Sequence, residues 1–145
     1  MSIAMTLKRL VRLDFAPVST DCGLLLLRVW LGLSMFLIHG YGKITNFTGT
    51  IEFFRDKQDI PPILGVASVM TETVASALLA IGLATRWAAL AGVVAMAVAF
   101  FKVHDMVLTQ GDSKSGELAF VYLGAYLAIL IAGPGRWSVD AKLAR

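Results

Sequence analysis

The 145-residue chain contains few charged residues and a single cysteine. Only 16% of its residues are Asp, Glu, Lys or Arg, whereas soluble domains average about 25%. The net charge of +3 is small and no basic stripe is present, so nothing indicates a nucleic-acid partner. Cys22 stands alone, which excludes an internal disulfide or dithiol chemistry carried out by this chain by itself.

The sequence signatures of several common enzymes are also missing. The chain contains no P-loop, GxGxxG, HExxH or serine-hydrolase elbow. A closed metal site needs more ligands than two histidines and one cysteine supply cleanly, and we predict no metal. Two histidines do meet the minimum for a bis-histidine haem between facing helices, which stays open as the weaker cofactor alternative.

What the chain has in abundance is apolar sequence. Hydrophobic residues make up 57% of it, and the mean hydropathy is +0.74. Apolar stretches at 22–42, 60–84, 87–104 and 117–133 are long enough, or nearly so, to cross a hydrocarbon core of about 30 Å as helices. We therefore predict one all-α domain over residues 1–145, an integral membrane four-helix bundle whose first partner is the lipid bilayer.

The distribution of basic residues predicts the orientation of this bundle. With four spans both termini lie on one side, and that side carries more lysine and arginine than the other. The positive-inside rule then places both termini in the cytoplasm. Residues 1–21, with the basic cluster KRLVRL, are predicted to form an amphipathic segment at the inner membrane interface.

Polar and very small residues are concentrated on one face of each of the first two predicted spans. Residues three, four or seven positions apart share a helix face. In lipid, small residues allow close helix packing and polar residues need a protein partner, so both faces should point inward. The two stripes are Arg28, Gly32, Met35, His39 and Lys43, and Gly65, Ser68, Glu72 and Ser76.

Glu72 is the most informative single residue, because it lies near the middle of its predicted span. A charged side chain there costs about 2.5–3.5 kcal/mol on insertion scales, so Glu72 must be protonated or paired with a cation. We predict Arg28 on the neighbouring helix as its partner. The pair either clamps two helices or holds and relays a proton at a ligand site, and the remaining alternative is an Arg28 side chain that snorkels to the inner headgroups.

Six ionisable residues, two of them from the first stripe, are predicted to converge at the outer end of the bundle. They form either a polar rim with snorkelling lysines or a pocket between helices that opens outward. A quinone ring in such a pocket would meet hydrogen-bond donors and acceptors, with Phe36, Tyr41, Phe101 and Tyr122 along its walls. The six residues are His39, Lys43, Lys102, His104, Asp105 and Glu117.

An ordered set of motifs resembles the DoxX family over about residues 22–140. The motifs are LLLRVWLGLSMFLIHGYGKITNF, IPP, MTETVASALLAIGLATRWAALAGVVAMAVA and GELAFVYLGAYLAILIAGPGRWSVD. Members of this family are small bacterial and archaeal membrane proteins with four helices. The family is named after the small subunit of an archaeal thiosulfate:quinone oxidoreductase, and other members are linked to oxidative and thiol stress. The resemblance points to Arg28, His39, Lys43, Glu72 and Glu117 as site residues.

These observations lead to one main functional hypothesis and two alternatives. The main hypothesis is an accessory or quinone-facing subunit of a redox system in the cytoplasmic membrane of a prokaryote, associated with other redox subunits or with itself. In it, His39 and Lys43 hydrogen-bond a quinone carbonyl. The alternatives are a membrane scaffold that stabilises a partner protein, and a carrier of small solutes or ions. Whether this chain is itself an enzyme stays open.

Overall fold

The computed structural model describes Leu7, Val11, residues 19–109 and residues 115–145, and all regular structure within that part is helical. The helices are α1 (Thr20–Thr45), α2 (Phe47–Gln58), α3 (Pro62–Ile81), α4 (Thr85–Val103), α5 (Glu117–Ala132) and α6 (Val139–Leu143). The amphipathic segment predicted at residues 1–21 lies almost entirely outside the described residues. Leu7 and Val11 within it are helical and exposed.

Three of these helices are long and apolar enough to cross a membrane: α1 with 26 residues, α3 with 20 and α4 with 19. The prediction of a helical membrane protein is confirmed at that level. Helix α5 is apolar but has 16 residues, which rise about 24 Å, less than a hydrocarbon core of about 30 Å. The fourth crossing and the side on which the termini lie therefore stay predictions.

Helices α1 and α3 run antiparallel and approach each other closely at two glycines. A Cβ atom on Gly32 would lie 2.6 Å from the carbonyl oxygen of Ser76, and one on Gly40 would collide with the carbonyl oxygen of Glu72. Arg28, Gly32, Gly65, Glu72 and Ser76 are all buried. The prediction that both polar stripes face inward is thus confirmed, with the small residues allowing the close approach.

Each of the three long helices contains a π-helical segment. These are Met35–Gly40 in α1, Thr71–Ala75 in α3 and Ala99–Val103 in α4. A π-helical turn inserts one extra residue into the helix and is frequent at functional sites. Here the first two segments contain His39 and Glu72, and Lys102 lies in the third.

The rest of the core is built from side chains of α1, α3, α4 and α5. The Tyr126 ring on α5 is 1% exposed and lies against Gly92 of α4, where an added Cβ would collide with it. Leu79, Ala89 and Ile129 are fully buried around it. Many apolar side chains on the other faces are exposed, as expected for helices surrounded by lipid. We call the two ends of the bundle the Lys43 end and the Arg28 end.

Candidate functional site

The partner of Glu72 is Lys43. The Lys43 Nζ atom lies 2.6 Å from both carboxylate oxygens of Glu72. Oε1 accepts hydrogen bonds from this ammonium and, at 3.0 Å, from the Ser68 hydroxyl, whereas Oε2 touches the ammonium as an ion pair only and accepts no hydrogen bond from the described residues. Glu72 is 4% exposed. The principle that a buried acid finds a cation on the next helix is confirmed, but with a different cation from the one predicted.

Local sequence explains how Lys43 reaches Glu72. Gly40, one turn before Lys43, brings the α1 backbone against the Glu72 peptide group. The Lys43 Nζ atom also lies 5.3 Å from the centre of the Phe54 ring on α2, in a cation–π contact. At the end of the π-helical segment of α3, the Ser76 hydroxyl donates to the Thr71 carbonyl oxygen at 2.9 Å, and the Ser76 N–H group donates to the same oxygen.

The Lys43–Glu72 pair forms one end of a cavity of about 510 Å³ between α2, α3 and α4. Such a volume lies within the range of about 300–1,000 Å³ that is typical of small-molecule sites. The polar lining consists of Lys43, Gln58, Ser68, Thr71, Glu72 and His104. The remaining lining is apolar, and includes Phe54, Ile60, Leu64, Gly65, Trp87, Leu90, Ala91, Val94, Ala95, Val98, Ala99 and Val103.

The cavity is an elongated groove on the outside of the bundle. Its lining follows α4 from Trp87 to Val103, a rise of about 24 Å. Trp87 is 77% exposed and Val94 is 56% exposed, so the groove opens toward the surroundings of the bundle. For a helix inside a bilayer those surroundings are lipid. A molecule with a long apolar tail and a polar head matches this combination of an apolar groove and a polar end.

The predicted Arg28–Glu72 pair does not form, and this prediction is wrong. Arg28 is 0% exposed at the opposite end of the bundle. Its guanidinium donates to the carbonyl oxygens of Leu79 at 3.2 Å and Trp137 at 2.8 Å, packed against Gly82. Arg28 therefore joins α1 to the last turn of α3 and to the segment after α5.

Asp140 completes the Arg28 end of the molecule. Its carboxylate accepts hydrogen bonds from the Ala84 and Thr85 N–H groups, both at 2.8 Å, and so caps the start of α4 from a distant part of the chain. Partial burial raises the pKa of Asp140, but these hydrogen bonds and the nearby positive charge of Arg28 outweigh that effect. The pKa consequently lies below its usual value.

His39 lies beside the cavity but does not line it. Its ring packs edge-on against Tyr122, with the ring centres 5.9 Å apart, and the Tyr122 hydroxyl donates to Ser34 at 3.1 Å. His39 is half-buried. It occupies the interface between α1 and α5, whereas Lys43 and His104 line the groove.

The structure brings together only some of the other predicted residues. His104 joins Lys43 and Glu72 at the cavity, whereas Lys102, Asp105 and Glu117 are exposed and do not contribute to its described lining. The described lining of the cavity does not include the aromatic residues predicted for its wall, Phe36, Tyr41, Phe101 and Tyr122. Its aromatic lining residues are Phe54 and Trp87.

Most of the residues that line the cavity, including Gln58 and Trp87, were not predicted. The apolar residues at 51, 53 and 54 indicate an interfacial helix before the two prolines, but nothing in this pattern shows that the helix folds over α3. Trp87 is indistinguishable in the sequence from an interfacial anchor. Among the described residues, no group of three or more His, Cys, Asp or Glu side chains is placed to hold a metal ion.

Comparisons with known proteins agree with the family resemblance. The family model DoxX matches residues 23–105, a region that includes Arg28, Lys43, Glu72 and His104. A Haemophilus influenzae protein described as uncharacterized is 37% identical over 117 residues, or 74% of this chain and 81% of that protein. The inner membrane protein YqjF of Escherichia coli is 26% identical over 129 residues, or 85% of this chain and 93% of that protein. No solved structure matches the chain.

Proposed function

This chain belongs to the DoxX family, and from that premise we propose that it binds a quinone-like ligand in the cytoplasmic membrane of a prokaryote. It acts there as an accessory or quinone-facing subunit of a redox system. The observation that carries the proposal is the groove of about 510 Å³ with the buried Lys43–Glu72 pair at one end. The inner-membrane description of the YqjF relative supports the location.

The groove fits the two chemical parts of a quinone. A quinone has a planar ring with carbonyl acceptors and a long apolar tail, and it supplies two-electron, two-proton redox chemistry when bound. The Lys43 ammonium is placed to donate to a carbonyl oxygen at the polar end. The apolar residues of α3 and α4 hold the tail, which reaches the site sideways from the lipid.

The residues at the polar end of the groove have different roles in this proposal. Lys43 binds and orients the head of the ligand, and the Ser68 hydroxyl holds the Glu72 carboxylate in place at 3.0 Å. Both Glu72 carboxylate oxygens lie 2.6 Å from the Lys43 ammonium, so Glu72 fixes the position of the lysine that binds the ligand. Arg28 has a structural role, because its hydrogen bonds go to carbonyl groups at the opposite end.

We further propose that α5 makes the fourth crossing and that both termini lie in the cytoplasm. In support, α5 packs against α1 and α4, and Arg86 Nε of α4 donates to the Leu130 carbonyl oxygen of α5 at 3.1 Å. Two single-cysteine variants, Lys57→Cys and Lys142→Cys, are made in a Cys22→Ser background, so that each contains one cysteine. Labelling of intact cells by an impermeant maleimide should modify position 57 and spare position 142, and the reverse result would contradict this topology.

Ligand binding is tested with the purified full chain in nanodiscs. Binding of a short-chain ubiquinone is followed by quenching of tryptophan fluorescence, since Trp87 lines the groove. Ala95→Phe fills the groove and Lys43→Met removes the donor, and we expect each to weaken binding at least about tenfold. The matched control Ala128→Phe lies on the exposed face of α5, away from the groove, and should bind normally. Equal affinities in all four proteins would contradict the proposed site.

A further inference from the structure

On the side of the Lys43 end, α3 extends further than α1. The close contact of Gly40 with the Glu72 peptide group places these two residues at the same depth in the bundle. Beyond that depth α1 continues only over residues 41–45, a rise of about 7.5 Å, whereas α3 continues over residues 62–71, about 15 Å. The difference in length leaves a recess beside α3, above Glu72 and the end of α1.

Helix α2 covers this recess and encloses a second hollow. The Phe54 ring of α2 lies 3.0 Å from the place of a Cβ atom on Gly65 of α3. A hollow of about 390 Å³ lies between α2 and the end of α1, and it shares Lys43 and Phe54 with the groove. These two side chains therefore separate the hollow from the groove. The hollow is lined by Lys43, Asn46, Gly49, Thr50, Phe53 and Phe54.

The polar lining of the groove lies on the side of the recess. Besides Glu72 itself, the polar lining residues are Lys43, Gln58, Ser68, Thr71 and His104. Near the start of α4, at the other end of the groove, the lining residues Trp87, Leu90 and Ala91 are apolar. The groove thus changes from polar to apolar along its length.

We propose that the recess and the hollow form a vestibule through which water from the side of the Lys43 end reaches the Lys43–Glu72 pair. Ionisable groups within membrane-spanning helices pair with each other and face the protein interior or a water-filled cavity. Cavities with polar walls hold water, whereas apolar ones stay dry. The Lys43 side chain is 29% exposed and that of Glu72 is 6% exposed, so the lysine meets the water and covers the acid.

The vestibule is open on one side of the membrane only. Toward the Arg28 end the interior is filled by Leu79 and Arg28, both 0% exposed, and by Tyr126, which is 1% exposed. A Cβ atom on Gly82 would collide with the Arg28 guanidinium, which shows how closely this end is packed. The pair therefore exchanges water and protons with the Lys43 side alone, unlike a pore that is open at both ends. This inference does not rest on the identity of the ligand.

The test measures where a small membrane-impermeant methanethiosulfonate modifies single cysteines. The full chain is expressed in cells with Cys22→Ser, and one cysteine is placed at Ser68 in the vestibule or at Ala91 in the apolar part of the groove. Lys57→Cys on the exposed face of α2 reports the Lys43 side, and Lys142→Cys reports the Arg28 side. Modification is read by whole-protein mass spectrometry. The reactive species is the thiolate, which forms in water and is disfavoured in an apolar site.

We expect Ser68→Cys to be modified in every sample in which Lys57→Cys is modified, and at least about tenfold faster than Ala91→Cys. The comparison with position 57 holds whichever side of the membrane the Lys43 end faces. Thr71→Cys, which lies beside Glu72 and lines the groove, is a second variant in case the substitution at Ser68 disturbs folding, and it should follow Ser68→Cys.

The outcomes that overturn the vestibule are distinct from a failure of the proposed function. Protection of both Ser68→Cys and Thr71→Cys in samples where Lys57→Cys reacts would show that water does not reach the pair. Modification of positions 68 and 71 together with Lys142→Cys, and not with Lys57→Cys, would reverse the direction of access. An equal rate at Ala91→Cys would show that the groove is wet along its whole length. All labelling is done without added ligand, so a protein that binds no quinone can still confirm the vestibule.

Discussion

Replacing Lys43 with Met tests the pair on which the candidate site depends. The substitution removes the ammonium but keeps a flexible side chain of similar length. It leaves the Glu72 carboxylate, which is 4% exposed, with the Ser68 hydroxyl as its one remaining donor among the described residues. An uncompensated buried charge is far more costly than a missing attraction.

The magnitude follows from the burial of the two partners. Breaking a buried ion pair from one side typically costs about 3–5 kcal/mol. The Lys43 side chain is 29% exposed and the Ser68 hydroxyl remains, so we expect the lower end of that range, about 3 kcal/mol. In Lys43→Met with Glu72→Met the charge and its partner are both absent, and apolar replacement of a buried pair is commonly neutral or stabilising. The double variant should therefore lie within about 1 kcal/mol of the wild type.

Reversible unfolding in mixed detergent micelles, followed by far-UV circular dichroism, measures these differences. The matched control is Lys57→Met, which removes an exposed lysine from α2 and should change stability by less than about 0.5 kcal/mol. The single variants Lys43→Met and Glu72→Met are measured beside the double variant. The reasoning is refuted if the losses of unfolding free energy in the two single variants sum to that of the double variant within about 0.5 kcal/mol, because such additivity indicates residues that do not interact.

Three further substitutions, the first with a matched control, test other contacts by the same unfolding measurement. Gly92→Ala should destabilise by about 1–3 kcal/mol because its methyl group meets the Tyr126 ring, whereas Gly124→Ala, with open space around it, should be neutral or slightly stabilising. Asp140→Asn should remove part of the pH dependence of the unfolding free energy, because the pKa of Asp140 is lowered in the folded state. The contribution of Asp140 to stability is complete above its unfolded pKa of about 3.9 and is lost as the pH falls through the lower folded pKa. A wild-type acid transition identical to that of the Asn variant would contradict this. Arg28→Lys should cost about 1.5–3 kcal/mol because an ammonium cannot replace both guanidinium hydrogen bonds, to the Leu79 and Trp137 carbonyl oxygens, and ligand affinity should not change.

The sequence was sufficient to predict the helical membrane class and the inward direction of both polar stripes. Both follow from general costs, namely the burial of backbone and charge in lipid, and these costs do not depend on tertiary detail. The choice between Arg28 and Lys43 as the cation for Glu72, in contrast, depended on tertiary structure. Arg28 and Lys43 share one face of α1, and helical periodicity alone cannot decide between them. The decision came from the carbonyl groups of Leu79 and Trp137, which offer Arg28 two acceptors at its own end of the bundle.

The groove itself was beyond prediction from the sequence. Ala91 and Ala95 have the small side chains that in membrane helices usually mark close helix packing. At Gly32, Gly40 and Gly65 that interpretation is correct, but Ala91 and Ala95 line the cavity, and their small side chains leave part of the space that it occupies. Whether a small residue receives a neighbouring helix or leaves a hollow depends on where α2 folds back, and that depends on contacts far apart in the chain.

The two basic residues of the α1 stripe differ in chemistry in a way that matches their positions. Arginine has a planar group with five donors in a fixed arrangement, which suits binding several carbonyl groups at once. Arg28 does this at 0% exposure, where a rigid joint between three segments stabilises the fold. Lysine is a single charge on a flexible stem. Lys43 contacts a carboxylate, an aromatic face and the cavity at once, so its ammonium can turn toward a ligand without moving the backbone. The same helix face therefore carries a structural cation at one end and, at the other, the cation that we propose to bind the ligand, and substitutions at the two positions should separate stability from binding.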